Sequence, residues 1–310
     1  MKQNPASREK ERLEALQALI EEGRGQVADY VECARLLRRL SWLTQGQESS
    51  RTETQQVFQQ GLQKFPDSPE LTYELARTTN PYGDRRGDPE LLQRAIQLFQ
   101  ARGLFQQAEA AAFDLATDVF QEGCEAREAG DPHKAEDCFR RALAIYPHHA
   151  DACVHLGMVY EERGDWLEAA RWYWRGVQLG RIACHEREIH ERRLARGARS
   201  PAAVRTPYWG ALETRPYLRA LSNLARLYFT RSEFELARIL AEECLLMNPD
   251  DNTGARVIIY SILRCEGKKE QMNVLGKKYG SGDLAARADE LERSCFGTLL
   301  AGSGTSGKTQ

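Results

Sequence analysis

Apolar residues along this chain recur at three- and four-residue intervals, while the two-residue alternation that marks a half-buried strand is nearly absent. The pattern predicts an all-α fold. It is also self-similar: "REAGDPHKAEDCFRRALAIYP" and "EERGDWLEAARWYWRGVQLG" superpose with Ala135 over Ala169, 34 residues apart, and "TRSEFELARILAEECLLMNP" sets Ala237 two further periods along. Weaker copies precede them in "TQQVFQQGLQKFPDS" and "LLQRAIQLFQARGLFQQAEAAAFDL", separated by the Pro-, Gly- and Asp-rich loop "TTNPYGDRRGDPE". Between Leu104 and Glu128 the only breaker is Gly123, so a continuous helix and a turn near Asp114 both fit.

Residues 150–183 carry Leu156, Gly157, Tyr160, Gly164, Ala169, Tyr173 and Gly176, residues 116–149 carry Gly123, Ala135, Phe139, Ala142 and Pro147, and residues 218–251 carry Leu224, Ala225, Tyr228, Ala237 and Pro249. In these positions the chain resembles tetratricopeptide repeats. The departures are Arg181 where proline is usual, Ala126 for an aromatic, and Ala241 for an aromatic. The small residues let two antiparallel helices approach closely, and the tyrosines fill the space between neighbouring hairpins. The resemblance implies a right-handed superhelical array of antiparallel helix hairpins, an α-solenoid with one interruption of a single repeat length. Narrower still, "YWGALETRPYLRAL" with "NPDDNTGAR" is similar to a bacterial tetratricopeptide subgroup over residues 208–256.

The expected organisation is a polar, then amphipathic helix at 1–24, divergent hairpins at 25–115, two clear repeats at 116–183, and a charged, arginine-rich insertion at 184–217. A further repeat and a degenerate hairpin follow at 218–280, then a capping helix at 281–297 and a disordered tail at 298–310. Family geometry, in which the first helices of successive hairpins line a concave groove, implies that Arg127, Asp151, Val154, Met158, Glu161, Arg219, Ser222, Arg226, Phe229, Arg256 and Tyr260 face it. Arginines beside Phe229 and Tyr260 suit an extended acidic segment of a partner protein, because guanidinium groups hold carboxylates bidentately. Pairing of the same arginines with acids of the chain such as Glu213 and Asp251 fits equally. The family's clamp for acidic chaperone termini finds Phe120, Cys124, His155, Arg219 and Asn223 at its positions; only Arg219 resembles its counterpart.

Composition adds limits. Lys plus Arg (43) and Asp plus Glu (45) leave a net charge of −2, so no global field favours nucleic acid or membranes. The eight cysteines form no C-x-x-C pair, and no apolar stretch reaches the length of a membrane span; a cytoplasmic protein without metal or other cofactor is expected. A nucleic-acid alternative rests on Arg187, Arg192, Arg193, Arg196, Arg199 and Arg205 beside Tyr208 and Trp209, diluted by Glu186, Glu188 and Glu191.

Three motifs read as chemistry only in isolation. Gly302 to Thr309 match the phosphate-loop pattern G-x-x-x-x-G-K-[ST], yet one residue follows Thr309 and no sheet precedes it. In "HEREIH" the histidines His185 and His190 are five apart, about 140° around a helix, where a zinc pair needs about 40°. Trp172 and Trp174 occupy different helix faces, so one of them is either covered by the insertion or part of a peptide-binding patch. No catalytic constellation appears, and the expected role is a non-catalytic scaffold or adaptor with no small-molecule substrate.

Overall fold

The structure is a computed structural model that describes residues 5–44, 47–78, 86–197, 208–279 and 281–302. Among them every regular element is helical: α1 (Pro5–Glu21), α2 (Val27–Thr44), α3 (Gln47–Lys64), α4 (Pro69–Ala76), α5 (Pro89–Ala101), α6 (Phe105–Glu128), α7 (Pro132–Ile145), α8 (Ala150–Glu162), α9 (Trp166–Gly197), α10 (Arg215–Thr230), α11 (Phe234–Met247), α12 (Ala255–Cys265), α13 (Lys269–Tyr279) and α14 (Ser281–Gly302), with short 3-10 turns at Tyr208–Gly210 and Leu212–Thr214. The all-α expectation holds. The chain divides into two compact units, one of residues 1–129 and 141–147, the other of 130–140 and 148–310, so that α7 contributes to both.

In unit 1, α1 and α2 close over Leu13, Leu16, Cys33 and Leu37, and α2 to α4 enclose Tyr30, Phe58 and Leu71. Gly61 lets α3 approach α4, since a Cβ there would lie 2.9 Å from Leu71 Cδ1. The helices start where the sequence supplies caps. Ser68 Oγ accepts from the Leu71 amide, and Asp88 Oδ1 accepts from the Glu90 and Leu91 amides at 3.0 Å, each ahead of a proline in the first turn. Between Leu104 and Glu128 the chain forms the single helix α6, because nothing after Phe105 interrupts its amide ladder.

Unit 2 is organised around three first helices, α8, α10 and α12, with α9, α11 and α13 as their partners. Tyr173 on α9 packs face to face with Gly157 on α8: a Cβ at Gly157 would lie 2.5 Å from its ring, which is why the repeat places glycine there. The turn between them uses Gly164 at φ +78°; the corresponding turn between α10 and α11 has Ser232 at φ +61°, a strained substitute. Burying aromatic and aliphatic side chains such as Tyr173, Tyr217 and Phe229 supplies about 1.5–3 kcal/mol each.

The predicted insertion is only partly a departure from the array. Its first half extends α9 to 32 residues, and α10 then packs directly against α8 and α9. The stretch from Ala211 to Tyr217 builds that junction. Thr214 is buried and its hydroxyl donates to the Ala211 carbonyl, Arg215 stacks on Trp209 and donates to its carbonyl, Pro216 opens α10, and Tyr217 lies over Gly180, where a Cβ would meet its backbone at 2.7 Å. The loop Asn248–Gly254 ties α10 to α12 in turn. Ser222 donates to the Thr253 carbonyl at 3.0 Å, and Asp251, at φ +56°, caps α12 by accepting from the Ala255 and Arg256 amides at 2.6 and 3.0 Å. Both narrow motifs are therefore joints between hairpins.

Residues 298–302, expected to belong to a disordered tail, are helical, as α14 runs to Gly302. The remainder of the phosphate-loop match, 303–310, lies outside the described residues.

Candidate interaction surface

The first helices of unit 2 bring together most of the sequence-predicted groove residues, but in pairs. Arg219 on α10 donates to Asp151 on α8 at 2.6 Å, and Arg226 grips both carboxylate oxygens of Glu161 at 2.7 and 2.9 Å. The Tyr173 hydroxyl donates to the same carboxylate at 2.6 Å, so Glu161, whose side chain is 11 % exposed, is held by three donors. Burial pushes the Tyr173 hydroxyl well above its usual pKa, and the Glu161 charge pushes it further; the phenol stays protonated and keeps donating. Burial likewise raises the Asp151 carboxyl, against the pull of Arg219. Arg256 donates to the Pro249 carbonyl and lies 3.9 Å over the Tyr279 ring. These arginines pair with the chain itself: Arg219 uses Asp151 and Arg226 uses Glu161, while the side chain of Glu213 lies outside the described residues.

Three predicted lining residues are core residues instead. Val154 and Phe229 are fully buried, and Tyr260 is buried in a cluster with Val257, Leu284 and Ala288. The cause at the last two is α14: Phe296 meets Phe229 at 5.2 Å between ring centroids, and Leu284 and Ala288 cover Tyr260. Met158 is half-buried against the same core, and Ser222 is committed to the α12 loop. Arg127, half-buried on α6, belongs to unit 1. Sequence reasoning treated α14 as a cap beyond the last hairpin; its stripe Leu284, Ala288, Leu291 and Cys295 was the available signal.

Unit 1 presents the opposite arrangement. Its first helices α2, α4 and α6, with Phe99 of α5, line a cleft of about 580 Å3, with Val31, Tyr73 and Phe99 as apolar surface and Glu32, Glu70 and Glu74 among its polar lining. Arg12 pairs with Glu32 at 2.9 Å, and Arg35 and Arg38 approach Glu74 at 3.4 and 3.3 Å. Tyr73 is fixed from behind by donating to Asp114 at 2.6 Å. No sequence reading singled out this cleft, because the hairpins that form it diverge most from the repeat pattern.

A family model described as tetratricopeptide repeat matches residues 218–248, the α10–α11 hairpin. That hairpin is a tetratricopeptide repeat. No curated protein matches it. Among solved structures it is similar to YrrB, titled a TPR protein with an unusual peptide-binding site, at 15 % identity and TM-score 0.35 over 78 % of this chain and 96 % of that one. It is also similar to yeast Tom70, at 12 % identity and TM-score 0.39 over 97 % of this chain and 61 % of that one, and to MamA, at 15 % identity and TM-score 0.30 over 72 % and 94 %.

The remaining candidates resolve as follows. Arg140 and Arg175 lie 5.6 and 5.5 Å from the Trp172 ring, in cation–π contact with it. Trp174 is 38 % exposed and donates to the Tyr228 hydroxyl at 3.0 Å. Cys33, Cys153 and Cys244 are buried, with thiols pushed up to about 11 by burial, which suits packing and not nucleophilic chemistry. Among the described residues no group of three or more His, Cys, Asp or Glu is placed to hold a metal ion, and no helix is long and apolar enough to cross a membrane. The side chains of Arg187, His190, Arg192, Arg193, Arg196 and Tyr208, and residues Arg199 and Arg205, lie outside the described residues.

Proposed function

We propose that this protein is a non-catalytic interaction scaffold that docks a segment of a partner protein on its first-helix surfaces, with the unit 1 cleft as the principal seat. The observation that carries this reading is the cleft itself: three successive first helices converge on apolar side chains and leave about 580 Å3 unfilled. Glu32, Glu70 and Glu74 give it a polar lining that can fix the register of a bound segment, while Val31, Tyr73 and Phe99 supply the contact area.

In unit 2 the expected acidic partner would compete with Asp151 and Glu161 for Arg219 and Arg226. A carboxylate arriving from water loses solvation to replace one already in place, so these two arginines serve cohesion before recognition.

Affinity purification with mass spectrometry tests the scaffold reading. Ala28 and Ala110 are exposed residues in the cleft lining, and an Ala28→Arg/Ala110→Arg chain fills the cleft at little cost to the core. Partners recovered with the wild-type chain and lost with this variant support the proposal. An unchanged partner set, from a variant with wild-type thermal unfolding, rules the cleft out.

A further inference from the structure

We propose that the outer face of α9 and α11 is a self-association surface, on which a second copy of this chain docks about a two-fold axis running between and along the two helices.

Both are second helices of their hairpins, and this face shares no residue with the unit 1 cleft or with the first-helix positions of unit 2. Among the described residues ten large apolar side chains are exposed, and six of them stand on these two helices: Leu167, Trp174 and Ile182 on α9, and Leu236, Ile239 and Leu246 on α11. Trp174 is a fixed anchor, because its indole nitrogen donates to the Tyr228 hydroxyl while the residue stays exposed. Six apolar side chains gathered on two neighbouring helices mark an interaction surface.

The charges between them are of opposite sign on the two helices. On α9 the exposed face carries Arg171, Arg175 and Arg181; on α11 it carries Glu235 and Glu242, which make no ion pair among the described residues. Each face thus presents apolar side chains interleaved with one sign of charge, and the face that complements it stands on the other helix. Only a second copy can bring the two face to face.

The register fits as well. Both helices run antiparallel to α10 and are pinned to it at the same two levels. At its start Gly180 packs on Tyr217, and Arg181 pairs with Glu243 at 3.0 Å; at its end Trp174 reaches Tyr228, and Phe234 meets Phe229. The helices are therefore parallel, and through the Arg181–Glu243 pair a residue of α9 stands level with the residue of α11 that follows it by 62 positions. A two-fold axis along the helices preserves these levels and sets each α9 over the α11 of the other copy. Trp174 then comes level with Leu236, Arg181 falls within one residue of Glu242, and Ile182 and Arg171 fall within two residues of Leu246 and Glu235. At a rise of about 1.5 Å per residue these offsets are about 3 Å or less, within reach of the side chains. The contact is isologous, so every match occurs twice.

Two helices per copy make a small interface, and the dimer should exchange with monomer in the micromolar range. Sedimentation equilibrium of the full chain, up to about 100 μM, tests this. Ile239→Asp/Leu246→Asp, at two exposed positions, should weaken dimerisation about tenfold or more without changing thermal unfolding. The same loss is expected of Glu235→Arg/Glu242→Arg, which makes both faces basic, and of Arg171→Glu/Arg175→Glu, which makes α9 acidic like α11. Mixed in equal amounts, these two charge variants should form a heterodimer of about wild-type affinity, since each basic helix again meets an acidic one. Arg175 also touches Trp172, so if its variant does not fold, the two α11 variants decide the matter. A wild-type chain that stays monomeric throughout, a dimer whose affinity the folded α11 variants leave unchanged, or two folded charge variants that form no heterodimer overturns the proposal.

Discussion

The first helices of the two units solve the same packing problem and end with different surfaces. In unit 2, α8 and α10 are cross-linked by Arg219–Asp151 and Arg226–Glu161, and α14 lies over what they and α12 present. In unit 1, α2, α4 and α6 pair their acids with arginines at the rim and leave a cleft between them. Close helix approach and buried ion pairs give cohesion at the expense of an open surface; divergence from the repeat pattern leaves room. The strongest repeats are for this reason the least available to a partner.

The largest effect that should separate the units comes from backbone proximity. A Cβ at Gly180 would lie 2.6 to 2.9 Å from Tyr217 Cβ, Cα and N, atoms that cannot rotate away. Gly180→Val should therefore cost about 3 kcal/mol or more by chemical denaturation. Gly61→Ala in unit 1 meets only the Leu71 methyl and the Tyr30 ring, which can adjust, and the gain of about 1 kcal/mol in helix propensity offsets much of the crowding. Equal losses at the two glycines would mean that the closeness of α9 to α10 has no special role.

Next comes the ion pair at the centre of unit 2. Glu161→Ala leaves Arg226 and the Tyr173 hydroxyl without their shared acceptor, and should destabilise the chain by about 2–3 kcal/mol in urea unfolding. Tyr173→Phe in the same background should then have little further effect, because the hydroxyl has already lost its bond. Additive losses would show that Tyr173 and Glu161 act independently.

The legibility of these features in the sequence follows the range of the interactions. Gly157, Ala169, Tyr173 and Gly176 lie within one repeat, and their spacing reflects local helix geometry, so the hairpin could be read directly. The extension of α9 was also readable from the charged run that continues it. Asp151 and Glu161 were correctly assigned to first-helix positions, as were Arg219 and Arg226, but which of them meet depends on how α10 docks against α8 some 65 residues later. The burial of Phe229 and Tyr260 was illegible for a related reason. It depends on α14, whose heptad-like stripe declares an apolar face without naming the surface it covers. The unit 1 cleft escaped because a cavity is a property of side chains that are missing from a pattern.

Helix caps offer a third contrast, this one in pH. In unit 1 the caps of α4 and α5 are Ser68 and Asp88. In unit 2, α8 is capped by His149, whose Nδ1 accepts from the Ala152 amide at 3.2 Å and whose ring is buried. Burial lowers its pKa from 6.5 to about 4. Since the unfolded chain takes up this proton first, stability is fully present above the unfolded value and falls as pH drops from 6.5 towards 4. The loss should reach about 2 kcal/mol at pH 5. His149→Asn keeps a capping acceptor without a titrating ring, and should flatten that part of the stability curve. A slope unchanged by the substitution would assign the pH dependence to other histidines.

The smallest expected effect is the counterpart of the Glu161 experiment in unit 1. Glu74 approaches Arg35 and Arg38 at 3.4 and 3.3 Å, but those side chains are 65 % and 42 % exposed, so solvent already satisfies much of their charge. Glu74→Ala should cost about 0.5 kcal/mol, and the loss should shrink further at high salt, where exposed pairs are screened. Because Glu74 lines the cleft, the same substitution should alter capture of partner proteins more than it alters unfolding. That divergence between binding and stability is what distinguishes a surface kept open for a ligand from one closed upon itself. If Glu74→Ala matched Glu161→Ala in destabilisation and left partner capture unchanged, the two first-helix surfaces would be equivalent, and the assignment of the cleft as the docking seat would fail.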